Sequence, residues 1–177
     1  QMYDDTRFSN RFVEVMVMLY QAKDAFFKAF NTELEEIGLN YAQAFVLTAL
    51  RMSNRPLTVS EISYFLFRET HSTSELVRRM EECGYLEKTL SVDDKRCVSI
   101  RLTPKGIEYV DEVARRILSL CERLFSSLSY EQLEQFNRYL RIVRNQAVQE
   151  IGTGIIELPP HMSMHKLNEW LSMMQYL

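Results

Sequence analysis

The sequence predicts a mainly α chain with a small β-wing: a winged helix-turn-helix flanked by long dimerisation helices. Three observations carry that prediction. Apolar residues recur with a period of about 3.6 over long stretches at both ends of the chain. In the middle the period changes to about 2 over two short segments, with a charged run between them. Only 5 Gly and 4 Pro occur among 177 residues, too few for a β-sandwich or a loop-rich scaffold.

Residues 8–37 read as one long helix. Phe8, Phe12, Val15, Leu19, Phe26, Phe30 and Leu34 trace one face, and Val13, Met16 and Phe27 widen it. Gly38 is its C-cap. A stripe this wide exceeds what a lone surface helix needs, so the helix is expected to be clamped between others or shared with a second chain. Asn40 is expected to cap a second helix over 41–52, with Phe45, Val46, Leu47 and Leu50 inward. Ser53-Asn54-Arg55-Pro56 is a turn, after which Thr58 or Ser60 caps a third helix carrying Ile62, Phe65 and Leu66. A break at Arg68-Glu69 leads into Thr70-His71-Ser72-Thr73-Ser74, where Ser72 and Glu75 have the spacing of a capping box. That fourth helix runs to about Cys83, with Leu76, Val77 and Met80 inward, and Gly84 ends it.

Segments 85–90 and 97–102 are strand candidates; in the second, Val98, Ile100 and Leu102 alternate with Ser99 and Arg101. Ser91-Val92-Asp93-Asp94-Lys95-Arg96 is a charged hairpin tip. Thr103 caps and Pro104 opens a helix over 104–127, whose stripe is Ile107, Val110, Val113, Ala114, Ile117, Leu118, Cys121, Leu124 and Phe125. Ser129 caps another over 130–151, with Leu133, Phe136, Leu140, Val143 and Ala147 on one face. Gly152-Thr153-Gly154 interrupts it, and an amphipathic tail follows, with Met164, Leu167, Leu171 and Met174 at helical spacing. The expected organisation is an N-terminal dimerisation helix (1–38), a winged helix-turn-helix (39–103), C-terminal dimerisation helices (104–151) and an extra tail (152–177).

Composition removes several function classes. At 46% hydrophobic and 25% charged, the chain is not disordered. It has no run of about 18 apolar residues, so no membrane span is expected, and residues 1–10 are too polar for a signal peptide. The three cysteines, Cys83, Cys97 and Cys121, are odd in number, widely spaced and without a CxxC, which fits free thiols in a reducing cytoplasm. No nucleophile elbow, HExxH, P-loop or GxGxxG pattern occurs, so the chain is read as a non-enzyme without a cofactor. His161 and His165 are four apart, but no third metal ligand is nearby, and they read as a surface pair. The net charge of −3 at first counts against a nucleic-acid partner.

The placement of the charges reverses that. A recognition helix needs an exposed N-terminal face of short hydrogen-bonding side chains with Arg or Lys behind it. His71, Ser72, Thr73, Ser74, Arg78 and Arg79 supply one. Alone, the same residues would be helix caps and a solvated face; beside a basic hairpin they read as a DNA surface. In the hairpin, Arg96 suits the narrow minor groove, Lys95 a phosphate, and Asp94 a bidentate brace for Arg96. Glu81 and Glu82 are expected on the far side of the helix.

The chain here resembles the MarR family of bacterial regulators. The resemblance rests on Asp94-Lys95-Arg96, similar to the family's D-x-R wing, and on Leu102-Thr103-Pro104-Lys105-Gly106, similar to its LT-x-x-G entry to the next helix. Ser74-Glu75-Leu76-Val77-Arg78-Arg79-Met80 and the Gly84-Tyr85-Leu86 exit resemble its recognition helix, and Thr58-Val59-Ser60-Glu61-Ile62 the start of the helix before. Order and spacing agree over about residues 8–151. Glu75 and Arg78 depart from the family's pattern by a charge swap. The resemblance implies a homodimer on a pseudo-palindromic operator, acting as a sequence-specific repressor. It implies minor-groove contact by Arg96 braced by Asp94, a major-groove face of Ser72, Thr73, Ser74 and Arg79, and phosphate contacts from Thr58, Ser60 and Lys105.

It further implies a small aromatic effector bound between the winged domain and the dimer region. Tyr20, Phe27, Tyr41 and Phe45 are the candidates, although aromatic residues at helical spacing usually form core. A thiol switch at Cys97, beside Arg96 and Lys95, is the rival. The alternative from another class is a winged-helix protein-interaction module whose basic tip docks an acidic partner.

Overall fold

The computed structural model of the protein describes residues 5–90, 98–152, 169 and 172. Among them, six helices and one two-stranded sheet follow in the order α1 (Asp5–Glu35), α2 (Tyr41–Ser53), α3 (Val59–Leu66), α4 (Thr70–Glu82), β1 (Leu86–Leu90), β2 (Val98–Leu102), α5 (Pro104–Phe125) and α6 (Tyr130–Glu150). The chain divides into two compact units, Gln1–Tyr41 and Ala42–Leu177. The mainly α architecture with a small β-wing is the one the sequence predicts.

The first unit is α1 and its exit. The helix stops because Gly38 takes φ 71°, the left-handed conformation that glycine adopts without steric cost. The amides of Gly38 and Leu39 then bond back to the carbonyls of Glu35 and Leu34, at 3.0 and 3.1 Å. Phe30 and Leu34 are buried, and Phe27 stacks on Tyr41 with ring centroids 4.6 Å apart. Further toward the N-terminus the large apolar side chains are exposed: Phe12, Val13, Val15, Met16, Val17, Met18, Leu19 and Tyr20.

In the second unit, the starts of α3, α5 and α6 have a local cause. Thr58 caps α3 by a complete capping box: its hydroxyl accepts from the Glu61 amide at 3.2 Å, and the Glu61 carboxylate accepts from the Thr58 amide at 2.8 Å. Ser129 and Gln132 form the same box at α6. Thr103 caps α5, accepting from the Gly106 amide at 3.0 Å, with Pro104 in the first turn. Each cap is worth about 1 kcal/mol.

At α4 the expectation fails. No capping box forms between Ser72 and Glu75; the helix starts at Thr70, with Glu69 as an N-cap that makes no side-chain bond. The reason lies one turn earlier. Phe67 closes α3 in the left-handed region, at φ 51°, so the chain turns within Arg68-Glu69 and the next helix begins ahead of the hydroxyl run.

The core of this unit is Val46, Leu47, Leu57, Ile62, Leu76, Val77, Met80, Ile100, Val110 and Val113, all buried. β1 and β2 pair antiparallel from Leu86↔Leu102 to Leu90↔Val98. Ile100 is buried and Arg101 exposed, as the alternation predicts, but Ser99 is buried and Val98 is exposed, the reverse of that pattern. Val98 belongs to the end of the ribbon farthest from the core. Leu57 joins the sheet at one point: its amide donates to Ile100 O at 2.9 Å, and the Ile100 amide returns a bond to Leu57 O at 2.7 Å. The segment leading into α3 is thereby tied to the ribbon. On α6 the apolar stripe stays largely open, with Phe136, Leu140 and Val143 exposed, whereas α5 buries Val110, Val113 and Ala114 and exposes Ile107 and Leu124 near the ends of its stripe. Among the described residues, no helix is long and apolar enough to cross a membrane.

Candidate nucleic-acid interface

α3 and α4 form the helix-turn-helix. Ser63 helps to set the pair: it is buried, its hydroxyl donates to Val59 O at 2.7 Å, and it lies 3.4 Å from the Thr70 hydroxyl at the start of α4. Along α4 the buried residues are Thr73, Leu76, Val77 and Met80, so the opposite face carries His71, Ser74, Glu75, Arg78 and Arg79 to the surface.

The sequence-predicted residues separate on this geometry. His71, Ser74, Arg78 and Arg79 are exposed and Ser72 is half-buried. Thr73 is not on the reading face. It is fully buried, and its hydroxyl donates to Glu69 O at 3.1 Å. Within α4, Thr73 falls one turn before Leu76 and Val77, three and four residues away, and so shares their buried side of the helix. Glu82 is not on the far side from the arginines either. It stands four residues after Arg78 and pairs with it. Glu81 pairs with Lys88 of β1 at 2.6 Å. Arg79 is the exposed guanidinium of α4 with no ion-pair partner among the described residues. His71 lies 3.5 Å from Glu75.

Two of the three expected phosphate contacts are occupied inside the chain. The Thr58 hydroxyl both accepts from the Glu61 amide and donates to the Glu61 carboxylate at 3.0 Å, so its capping role uses it fully. The Lys105 ammonium donates to Cys83 O at 2.8 Å and lies over the Tyr85 ring. Ser60 remains exposed. Asp94, Lys95, Arg96 and Cys97 lie outside the described residues, as do His161 and His165.

Sequence reasoning missed Arg55. Its guanidinium meets the Glu61 carboxylate at 2.5 Å and donates to Pro56 O at 3.0 Å, next to the α3 cap. Partial burial pushes the Glu61 carboxyl up, but bonds from the Thr58 amide, Arg55 and the Thr58 hydroxyl together hold it below the ordinary range. The six-residue gap between Arg55 and Glu61 crosses a turn, so no helical spacing announces the pair. Of the cysteines described, Cys83 is exposed and Cys121 is half-buried, where desolvation pushes its thiol up and makes it a poor nucleophile. Among the predicted effector-site aromatics, Phe27 and Tyr41 stack, Tyr20 is exposed beneath the Lys23 ammonium, and Phe45 belongs to the second unit.

This geometry agrees with what the chain resembles. The winged helix DNA-binding domain matches residues 39–106. The transcriptional regulator MgrA of Staphylococcus aureus is 30% identical over 110 residues, which is 62% of this chain and 73% of that protein. The chain is a member of the MarR family of winged-helix transcription regulators. The transcriptional repressor MprA of Escherichia coli is 31% identical over 114 residues, and the repressor IacR of Pseudomonas putida 28% over 110. Each of those two matches takes in 62% of this chain and spans 65% of the relative's length. Among solved structures, an organohalide-sensing transcriptional regulator in its 2,4-dichlorophenol-bound form superposes with a TM-score of 0.73 at 24% identity, covering 82% of this chain and 86% of that one. A mutant MarR from Escherichia coli complexed with operator DNA superposes with a TM-score of 0.69 at 19% identity, covering 76% and 96%. These two likenesses establish the MarR-type fold.

Proposed function

We propose that this MarR-family chain is a sequence-specific transcription regulator, a repressor, that binds double-stranded DNA as a homodimer on a pseudo-palindromic operator. The observation that carries the reading is the α4 surface. It is a helix on a helix-turn-helix scaffold whose buried side is apolar and whose open side holds Ser74, Glu75, Arg78 and Arg79. Arg79 is free to approach guanine O6 and N7, and Glu75 to accept from a cytosine N4 amine. Arg78 must first exchange Glu82 for DNA. Arg96 takes the minor groove and Asp94 braces it, by their match to the family wing.

The bare apolar helices support the dimer. Phe12 to Tyr20 on α1, and Phe136, Leu140 and Val143 on α6, leave large apolar side chains exposed, and a second copy would cover them. A small aromatic effector would release the operator by changing the spacing of the two α4 helices; the phenol bound to the organohalide-sensing neighbour supports that ligand class. The protein-interaction reading keeps the same surfaces but has no use for a base-reading arginine.

The test is fluorescence anisotropy on DNA from the region upstream of the chain's own coding sequence. Arg96→Ala is expected to lose about 1–3 kcal/mol of operator affinity. Wild-type affinity in that variant would overturn the wing assignment.

A further inference from the structure

The turn after α4 offers three successive backbone carbonyls, and the first turn of α5 takes all three. Cys83 O accepts from Lys105 Nζ at 2.8 Å, Gly84 O accepts from the Thr103 hydroxyl at 2.7 Å, and Tyr85 O accepts from the Thr103 amide at 3.1 Å. Cys83 is the C-cap of α4, so its carbonyl belongs to the set that a helix leaves unsatisfied, at the negative end of the helix dipole. A cation there is favoured twice, by the bond and by the dipole. Lys105 also lies 4.6 Å from the centroid of the Tyr85 ring and 5.8 Å from that of Tyr109, and those two rings meet at 4.7 Å. Gly106 completes the contact by bringing the α5 backbone against Tyr85 O.

We propose that Lys105 is a positioning residue for DNA recognition. It holds the C-terminal end of α4 on the first turn of α5, so that the reading face is presented at an angle set by α5, and it makes no phosphate contact. The inference rests on the DNA-binding reading above. In the free chain one N–H of the ammonium is taken by the Cys83 carbonyl and the Tyr85 ring lies beside it, so the side chain is already engaged at the end of α4. The opposite assignment, a phosphate ligand, is what the wing-to-helix motif suggests from sequence alone, and the two differ in a measurable way. A lysine that neutralises a phosphate contributes roughly 0.9 to the slope of log affinity against log salt. A lysine that acts through α4 contributes nothing to that slope.

The experiment uses the full chain as wild type, Lys105→Met and Lys105→Arg. Anisotropy with operator DNA is read from low to moderate salt, beside amide hydrogen exchange of the free protein over residues 79–85 and a urea midpoint. For Lys105→Met we expect affinity lowered roughly two- to fivefold at every salt concentration. The salt slope should be unchanged, exchange at the end of α4 faster, and Lys105→Arg should recover most of the affinity, because a guanidinium can take the same carbonyl and rings. A slope lower by about one, with exchange unchanged, would overturn the proposal in favour of a phosphate contact. Faster exchange with unchanged affinity would also overturn it, reducing Lys105 to a structural contact. If wild type binds no upstream DNA, the regulator reading fails on that arm, while hydrogen exchange still decides whether Lys105 holds α4.

Discussion

A Cβ on Gly106 would stand 2.1 Å from the carbonyl oxygen of Tyr85. That oxygen is backbone, fixed by the Thr103 amide, and cannot move aside as a side chain would. Gly106→Ala is therefore expected to destabilise the fold by about 2 kcal/mol or more. The check is the urea midpoint. An unchanged midpoint would mean that α5 can slide off the turn after α4.

Glu61 gives a pH prediction. Its carboxyl sits below the ordinary value of 4.5 in the folded chain. A depressed folded value means the contribution is fully present above that ordinary value and is lost as pH falls through the lower one. Glu61→Gln keeps an amide that can complete the α3 cap but cannot ionise. The stability gap between wild type and Glu61→Gln should be constant at neutral pH and narrow as pH falls below the ordinary carboxyl range. Glu61→Ala, which removes the cap partner as well, should cost about 1 kcal/mol at pH 7. Thermal melts across a pH series read both.

The arginines of α4 should behave differently. Arg79→Ala is expected to cost about 1–3 kcal/mol of operator affinity and relax one base preference. Glu82→Gln frees Arg78 from its partner and should strengthen binding to unrelated DNA, most at low salt. Glu75→Ala should relax a preference for C·G at one operator position, read by selection from a randomised pool.

The open helix faces predict the assembly state. Met16→Glu on α1 or Val143→Glu on α6 would bury an uncompensated charge in the proposed dimer. Each should weaken it by about 3 kcal/mol, on the order of a hundredfold in Kd. Sedimentation equilibrium would show it. A wild-type chain that is monomeric at micromolar concentration would remove the homodimer.

Phe67 carries backbone strain without compensating burial. It has φ 51° and is 54% exposed. Phe67→Gly should cost nothing, and is expected to raise stability by up to about 1 kcal/mol, since the left-handed region penalises a Cβ.

Much of this fold is legible in the sequence, because its boundaries are chemical. Gly38, Thr58, Thr103 and Ser129 announce ends and starts through local bonds that need no tertiary partner. The start of α4 is not legible, since four cap-competent residues, Thr70, Ser72, Thr73 and Ser74, compete and the backbone of Phe67 sets where the chain turns. The burial of Thr73 is legible from spacing: it stands three and four residues before Leu76 and Val77 and so shares their inward side. The bond from Lys105 is not legible, because its partner, the Cys83 carbonyl, lies 22 residues away and has no side-chain signature. The Arg78–Glu82 pair could have been found from its spacing alone.

The ribbon carries one more consequence. β1 and β2 are held by their ladder, by the Glu87–Arg101 pair at 2.8 Å and by the Leu57–Ile100 bonds, all on the core side of residues 91–97. Swapping residues 91–97 for another loop is therefore expected to leave the stem closed, so that the loop and the fold can be engineered separately in this chain.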